Sequence, residues 1–147
     1  MTSNFRGGKY LKIMALDVGD RTIGIAISDA TKMIAQGIEV IRRVGNVKDL
    51  ARLAELISEY DVSEIVVGYP KNMNGSIGER CVIVEKFTEL LKNAFPQIKY
   101  HYWDERLSTM EAQKILISSD VRRDKRKKVI DKMAAVIILQ GYLDRQL

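Results

Sequence analysis

The sequence predicts an α/β fold built on one mixed sheet of five strands with helices on its faces. Three patterns support this fold class: three adjacent β-rich segments near the start, two later apolar strands that each follow a helical segment, and no repeat or linker that would mark a second domain. Strands joined by short turns pair antiparallel, whereas strands joined through helices favour parallel, right-handed crossovers. We therefore expect one domain over residues 1–147, with residues 1–9 as a flexible tail.

The first three elements are predicted strands. YLKIMALDV (10–18) and TIGIAISDA (22–30) are rich in apolar and β-branched residues, and the segment 19–21 between them predicts a hairpin turn. MIAQGIEVIRRV (33–44) predicts a third strand, with a kink at Gly37 because glycine inside a strand often marks an irregularity. These three strands should form the antiparallel part of the sheet.

Helical and strand patterns alternate along the rest of the chain. Apolar residues recur at helical spacing in the helices, and the central strand contains the apolar run that is typical of burial on both faces. The predicted elements are, in order, a helix at 47–60 with Asn46 as its N-cap, a strand at 63–70, a helix from Gly75 or Ser76 to about Asn93, a strand at 98–103, a helix from Ser108 to about Ser118 opened by a capping box with Glu111, and a helix at 129–146.

Charge is concentrated in one segment of an otherwise balanced chain. The net charge is +5, from 24 Lys and Arg against 19 Asp and Glu. The segment RRDKRKK (122–128) contains six basic residues and one acidic residue, and it accounts for the entire excess. Such a cluster, predicted here as a loop, is typical of a surface that binds a polyanion, although a solvated loop carries the same pattern.

Composition excludes several other classes of protein. No apolar stretch is long enough to cross a bilayer, so we expect no membrane partner. The segment MTSNFRGGKY lacks the apolar region of a signal peptide and the chain contains a single cysteine, which together indicate a reducing, cytoplasmic location. With only Cys81 and His101 available, a zinc site of cysteine and histidine ligands is excluded, so any bound metal must rely mainly on carboxylates.

Carboxylates from three distant segments lie at the ends of predicted elements. Asp17 ends the first strand, Asp104 and Glu105 follow the last strand, and Asp131 lies near the start of the final helix. Each also has an ordinary interpretation: a polar turn residue, a solvated strand end, or an acid stabilised by a helix dipole. Adjacent strand residues point to opposite faces, so only one of Asp104 and Glu105 should face a given site.

Together, these acids suit a metal site. The carboxyl ends of strands collect ligand sites in α/β proteins, so the three segments could gather around one or two Mg²⁺ or Mn²⁺ ions, which prefer oxygen ligands. Two such ions activate water and stabilise the leaving oxygen in phosphodiester cleavage. The neighbouring basic segment would then hold a polyanionic substrate over the site.

Four motifs resemble the YqgF/RuvX family in their order and spacing: ALDVGDRTIGIAISD, EIVVGYPKNMNG, DERLSTMEA and RRDKRKKVIDKMAAVIILQGYL. The resemblance runs from about residue 12 to residue 144. It implies a ribonuclease-H-like fold with strand order 3-2-1-4-5 and a cytoplasmic bacterial protein. It also implies a nuclease, described for the family either as a Holliday junction resolvase or as an enzyme that processes the 5′ end of pre-16S rRNA.

The resemblance also implies a set of site residues. Carried over by motif, the catalytic and metal-binding set is Asp17 of LDVG, Glu105 of DER and Asp131 of VIDKMAA, with Asp104 as a substitute or supporter of Glu105. Related resolvases carry a glutamate at the end of the fourth strand, where this chain has VVGYP without an acid. The family therefore places its second carboxylate on the fifth strand instead.

Basic and polar residues near these acids are expected to position nucleic acid. The segment PKNMNG (70–75) precedes a helix N-terminus, an arrangement that suits a phosphate, although it also fits a plain polar loop. The residues expected to contact nucleic acid are Lys71, Asn72, Arg106, Arg122, Arg123, Lys125, Arg126, Lys127 and Lys128.

These features favour a metal-dependent nuclease of structured nucleic acid, with 5′-end processing of pre-16S rRNA as the preferred activity. The alternatives are a Holliday junction resolvase acting on four-way DNA and a non-catalytic RNA-binding module for ribosome assembly. DVGDRTIG also resembles the phosphate loop of sugar-kinase and actin-like ATPases, which need two such lobes around the nucleotide. The sequence leaves both a monomer and a homodimer open.

Overall fold

The computed structural model describes residues 5–6, 9–107 and 123–146, with side chains placed for residues 10–107 and 133–146. Two short strands, Phe5–Arg6 and Lys9–Tyr10, pair with each other, and all of their residues except Tyr10 lie in the segment 1–9 that was predicted as a tail. A single turn of 3₁₀ helix covers Glu105–Leu107. The main elements are β1 (Lys12–Val18), β2 (Thr22–Ser28), β3 (Ala35–Arg42), α1 (Asn46–Glu59), β4 (Val62–Tyr69), α2 (Glu79–Ala94), β5 (Lys99–Asp104) and α3 (Arg123–Arg145).

The five main strands form one mixed sheet in the order 3-2-1-4-5. β1 pairs antiparallel with β2, and β2 pairs antiparallel with β3, because only short turns join them. β4 and β5 are each reached through a helix, and they run parallel to β1 and to each other. The structure therefore confirms the predicted α/β fold and the predicted strand order.

Alternation along β1 divides the core into two layers. Met14 and Leu16 belong to the larger cluster, which contains the buried side chains of α1 and α2. Ile13 and Ala15 belong to the smaller cluster, which contains the buried side chains of α3. Because side chains alternate between the two faces of a strand, Asp17 shares the face of Ile13 and Ala15. The carboxylate that was singled out in the sequence thus lies on the α3 side of the sheet.

The starts of α1 and α2 differ from the predictions. Gly45 occupies the N-cap position of α1, and Asn46 lies inside the helix, where its side-chain oxygen accepts a hydrogen bond from Arg43; the prediction of Asn46 as N-cap is wrong. α2 begins at Glu79 rather than at residue 75 or 76. Gly75 has φ +86°, and side-chain hydrogen bonds within 72–76 stabilise a loop there, so the backbone cannot follow a helical path.

α3 begins at Arg123, six residues before the predicted start, and it includes most of the basic segment. The prediction of a basic loop is therefore wrong for 123–128: Lys and Arg are good helix formers, and this segment has no glycine or proline to interrupt the helix. Arg122 and the predicted helix at 108–118 lie outside the described residues. Within the described ranges, no helix is both long enough and apolar enough to span a membrane.

The kink predicted at Gly37 corresponds to an irregularity in strand pairing. Ile25 of β2 pairs with Glu39, whereas the next residue, Ala26, pairs with Gly37, so β3 has one extra residue at this point. Such a bulge bends an edge strand and increases its twist.

Candidate active site

Asp17 and Glu105 meet at the edge of the sheet where the parallel strands end. Asp17 is the penultimate residue of β1, and Glu105 directly follows β5. Trp103 belongs to the same cluster as the buried residues of α3, so by alternation Glu105 also lies on the α3 side. Electrostatic interaction and a hydrogen bond connect the two carboxyl groups. The structure thus brings together two of the three acids predicted for the site.

The carboxyl group of Glu105 lies over β4, the strand between β1 and β5. Trp103 pairs with Gly68 in the register of β4 and β5. A Cβ atom built on Gly68 would lie 3.2 Å from Cδ and 3.2 Å from Oε1 of Glu105, and 2.6 Å from Cδ1 of Ile138 in α3. The end of β4, where the sequence has no acid, is therefore covered by the carboxyl group that follows β5.

Burial and like charge make Glu105 unusually basic. Removal from water, followed by repulsion from the carboxylate of Asp17, makes the largest contribution to raising the pKa of Glu105 from 4.5 to about 7. The positive charge of Arg80 opposes this shift, while the hydrogen bond with Asp17 and the charge of Asp104 add to it. A hydrogen bond between two carboxyl groups requires a proton on one of them. With a pKa of about 7, Glu105 holds this proton in about half of the molecules at neutral pH, and a bound cation would displace it.

Asp104 is paired with a neighbouring arginine. Nη2 of Arg106 lies 2.7 Å from Oδ2 of Asp104, and Nε of Arg106 donates to both carboxylate oxygens at 3.1 Å. These hydrogen bonds hold the pKa of Asp104 below its usual value, with a smaller electrostatic contribution from Lys71. The charge of Asp104 is thus neutralised by Arg106. Because side chains alternate along β5, Asp104 lies on the α2 side of the sheet, the opposite face from Asp17.

The loop between β4 and α2 forms one rim of the site. Nζ of Lys71 lies 5.9 Å from the ring centre of Tyr69, and the guanidinium of Arg106 lies against Gly75, 3.3 Å from an added Cβ. The side chain of Asn72 donates to Ser76, so it stabilises the loop itself. Of the predicted phosphate contacts in this loop, Lys71 has an ammonium group at the rim, whereas Asn72 is engaged within the loop.

Two arginines near the site were not predicted from the sequence. Arg80 is exposed in the first turn of α2, and its charge acts on Glu105. Arg43 donates to the carbonyl oxygen of Gly19 at 2.9 Å and to the carboxylate of Asp49 at 3.2 Å. Asp49 is almost fully buried, with 1% exposure, so this ion pair anchors the turn that follows Asp17 to α1. Neither contact has a local sequence signal, because each depends on the packing of a helix against a distant turn.

The third predicted acid lies in α3, but its side chain is outside the described residues. The backbone places position 131 about two helical turns before Ile138, the residue that covers Gly68. The side chains of Arg123, Lys125, Arg126, Lys127 and Lys128 are likewise outside the described side chains, and Arg122 is outside the described backbone.

The donor chemistry of the described pair fits a hard divalent cation. Asp17 and Glu105 supply carboxylate oxygens, the ligands that Mg²⁺ and Mn²⁺ prefer. Their repulsion in a partly buried site is the situation that a cation relieves. Among the residues whose side chains are described, no group of three or more histidine, cysteine or acidic residues is arranged to hold a metal.

Comparison with known proteins identifies close relatives over nearly the whole chain. Residues 11–145 match the family model described as RuvX, Holliday junction resolvase. A protein of Thermoanaerobacter pseudethanolicus, provisionally named a pre-16S rRNA nuclease, is 56% identical over 137 residues, which cover 92% of this chain and 98% of the relative. A protein of Desulforamulus reducens with the same provisional name is 58% identical over 134 residues, which cover 91% and 97%.

Solved structures with a similar fold are far more distant in sequence. The structure of Thermus thermophilus RuvC has a TM-score of 0.58 at 10% identity, covering 92% of this chain and 96% of that one. RuvC of T. thermophilus in complex with a Holliday junction substrate has a TM-score of 0.56 at 13% identity, with the same coverage. At these identities the similarity shows a shared fold alone, the ribonuclease-H-like fold.

Proposed function

The chain belongs to the RuvX family, and from that premise we propose that it is a metal-dependent nuclease that hydrolyses phosphodiester bonds in structured nucleic acid. The observation that carries the proposal is the convergence of Asp17 and Glu105 at one edge of the sheet. A non-catalytic RNA-binding module has no use for a desolvated carboxyl group held next to a second carboxyl group, because this arrangement costs stability unless it serves a ligand.

In this proposal Asp17 and Glu105 hold one or two Mg²⁺ or Mn²⁺ ions, and Asp131 supplies a third carboxylate from α3. When bound, the metal activates a water molecule and stabilises the leaving oxygen of the phosphodiester. Asp104 supports the site through its pairing with Arg106 rather than as a ligand.

Basic side chains around the acidic pair would bind the phosphates of the substrate. Lys71 and Arg106 lie on the rim formed by the loop before α2, and Arg80 lies beside Glu105. The basic residues at the start of α3 would extend this surface, because α3 packs on the same face of the sheet as Asp17. A cationic surface next to an acidic centre attracts the polyanion while leaving the carboxylates to the metal.

We propose precursor 16S rRNA as the substrate, with cleavage at its 5′ end. Relatives that are 53–58% identical and cover at least nine-tenths of this chain carry that provisional name. The cytoplasm is the compartment in which such a precursor occurs in bacteria, and the buried, unpaired thiol of Cys81 is compatible with it.

Four-way DNA is the second candidate substrate, because the matching family model is described as a Holliday junction resolvase. Symmetric cutting of a junction needs two active sites, so this activity requires a homodimer. Light scattering of the free protein, and of the protein with a junction, would measure the required stoichiometry of two chains.

The deciding experiment is a cleavage assay on both substrates. Purified protein is incubated with a 5′-extended 16S rRNA fragment or with a four-way DNA junction, in Mg²⁺, Mn²⁺ or EDTA. Cleavage of the RNA that requires the metal and that disappears in Asp17→Asn supports the proposal. The exposed Glu89, whose side chain is 71% accessible, provides a matched control as Glu89→Gln. Equal cleavage by Asp17→Asn and the wild type would exclude the assigned role of Asp17.

A further inference from the structure

Gly68 is an unusual residue for its position in β4. It lies in a central strand whose neighbouring residues Val66 and Val67 are fully buried, and glycine weakens a strand interior by roughly 0.5–1 kcal/mol. Its backbone is not in the left-handed region, so the strand conformation itself would accept any side chain. What excludes a side chain is the presence of two neighbouring groups, Glu105 and Ile138.

We propose that Gly68 is a positioning residue that leaves room for the carboxyl group of Glu105 beside Asp17. An added Cβ would lie 3.2 Å from both Cδ and Oε1 of Glu105, so the carboxyl group already occupies the space next to the glycine. It would also lie 2.6 Å from Cδ1 of Ile138, a buried side chain of α3 with 1% exposure. The missing side chain thus allows the acid that follows β5 to reach across β4 toward β1.

The contact between position 68 and Glu105 can be distinguished from ordinary core packing. A methyl group at position 68 would press on Ile138 and on Glu105 at once, and the two effects can be separated. Ile138→Val removes only Cδ1, so in Gly68→Ala/Ile138→Val the new methyl group takes the space of the lost one, a volume-conserving exchange. The contact with the carboxyl group of Glu105 remains in that double variant, and it must shift the carboxyl group.

The experiment compares Gly68→Ala, Ile138→Val and the double variant by thermal unfolding, by a crystal structure of the metal-free double variant, and by calorimetric titration with Mn²⁺. Gly68→Ala alone should lower Tm by roughly 3–9 °C through overpacking, and Ile138→Val should restore most of that loss. The double variant should still show the Glu105 carboxyl group displaced by a few tenths of an ångström from its wild-type position, because the contact of 3.2 Å with the new Cβ is too short to remain unchanged.

The metal titration tests the consequence, which rests on the proposed function. The double variant should bind Mn²⁺ at least about tenfold more weakly than Ile138→Val, and Gly68→Ala should have no further effect in a Glu105→Ala background. An unmoved carboxyl group, or an equal loss of Mn²⁺ affinity without Glu105, would overturn the role of Gly68. If the wild type binds no Mn²⁺, the proposed metal dependence fails, and the crystal structure alone decides the role of Gly68.

Discussion

Replacement of Glu105 by glutamine should stabilise the metal-free protein above neutral pH. Burial and repulsion by Asp17 raise the pKa of Glu105 from 4.5 to about 7, so the folded state holds this proton more tightly than the unfolded state. Folding stability must then fall as pH rises between these two values, and the loss is complete above the higher one. A shift of this size corresponds to about 3 kcal/mol, which partial exposure to water reduces to about 2 kcal/mol.

The assay is thermal or urea unfolding in EDTA at a series of pH values from 4 to 9. Glu105→Gln should match the wild type near pH 4 and exceed it by about 2 kcal/mol at pH 8, or roughly 4–8 °C in Tm. Glu89→Gln removes an exposed carboxylate and controls for the change in net charge. Parallel pH profiles for Glu105→Gln and the wild type would refute the view that Glu105 is desolvated beside a like charge.

Two further predictions concern the support of the site and its basic surface. Asp49→Ala should lower the free energy of unfolding by about 3 kcal/mol, because it leaves the guanidinium of Arg43 without its buried partner. Urea unfolding measures this loss. A loss below about 1 kcal/mol would show that the ion pair does not anchor the turn. Replacing both Lys127 and Lys128 by alanine should reduce the slope of log affinity against log salt concentration for duplex substrates by roughly 2, since each phosphate contact contributes about 0.9. An unchanged slope would show that neither lysine contacts a phosphate.

The fold could be predicted from the sequence because its main signals are local. Short turns between the first three strands and helices before the last two predict the antiparallel and parallel halves of the sheet. The first residues of the helices were harder to predict, because they depend on competing side-chain hydrogen bonds. Asn46 accepts from Arg43 instead of capping α1, and the asparagines and serine of 72–76 stabilise a loop where a helix was predicted.

The candidate site could be predicted only in part from the sequence. Asp17, and one of Asp104 and Glu105, could be singled out because they lie at strand ends, and the parallel topology brings such ends to one edge. The choice of Glu105 rested on the resemblance to the RuvX family. Gly68 could not be interpreted, because its meaning depends on the register of β5 beside β4 and on the docking of α3. Arg80 was missed for the same reason, since only the folded structure brings the start of α2 near Glu105.

The measurement that tests the central claim most directly is the titration of the wild type, Asp17→Asn and Glu105→Gln with Mn²⁺ by calorimetry. If the two carboxyl groups form one cation site, the wild type binds the ion and each single substitution weakens binding by at least about tenfold. If both variants bind Mn²⁺ as the wild type does, the ion is held elsewhere, and the convergence of Asp17 and Glu105 does not form the metal site of the nuclease.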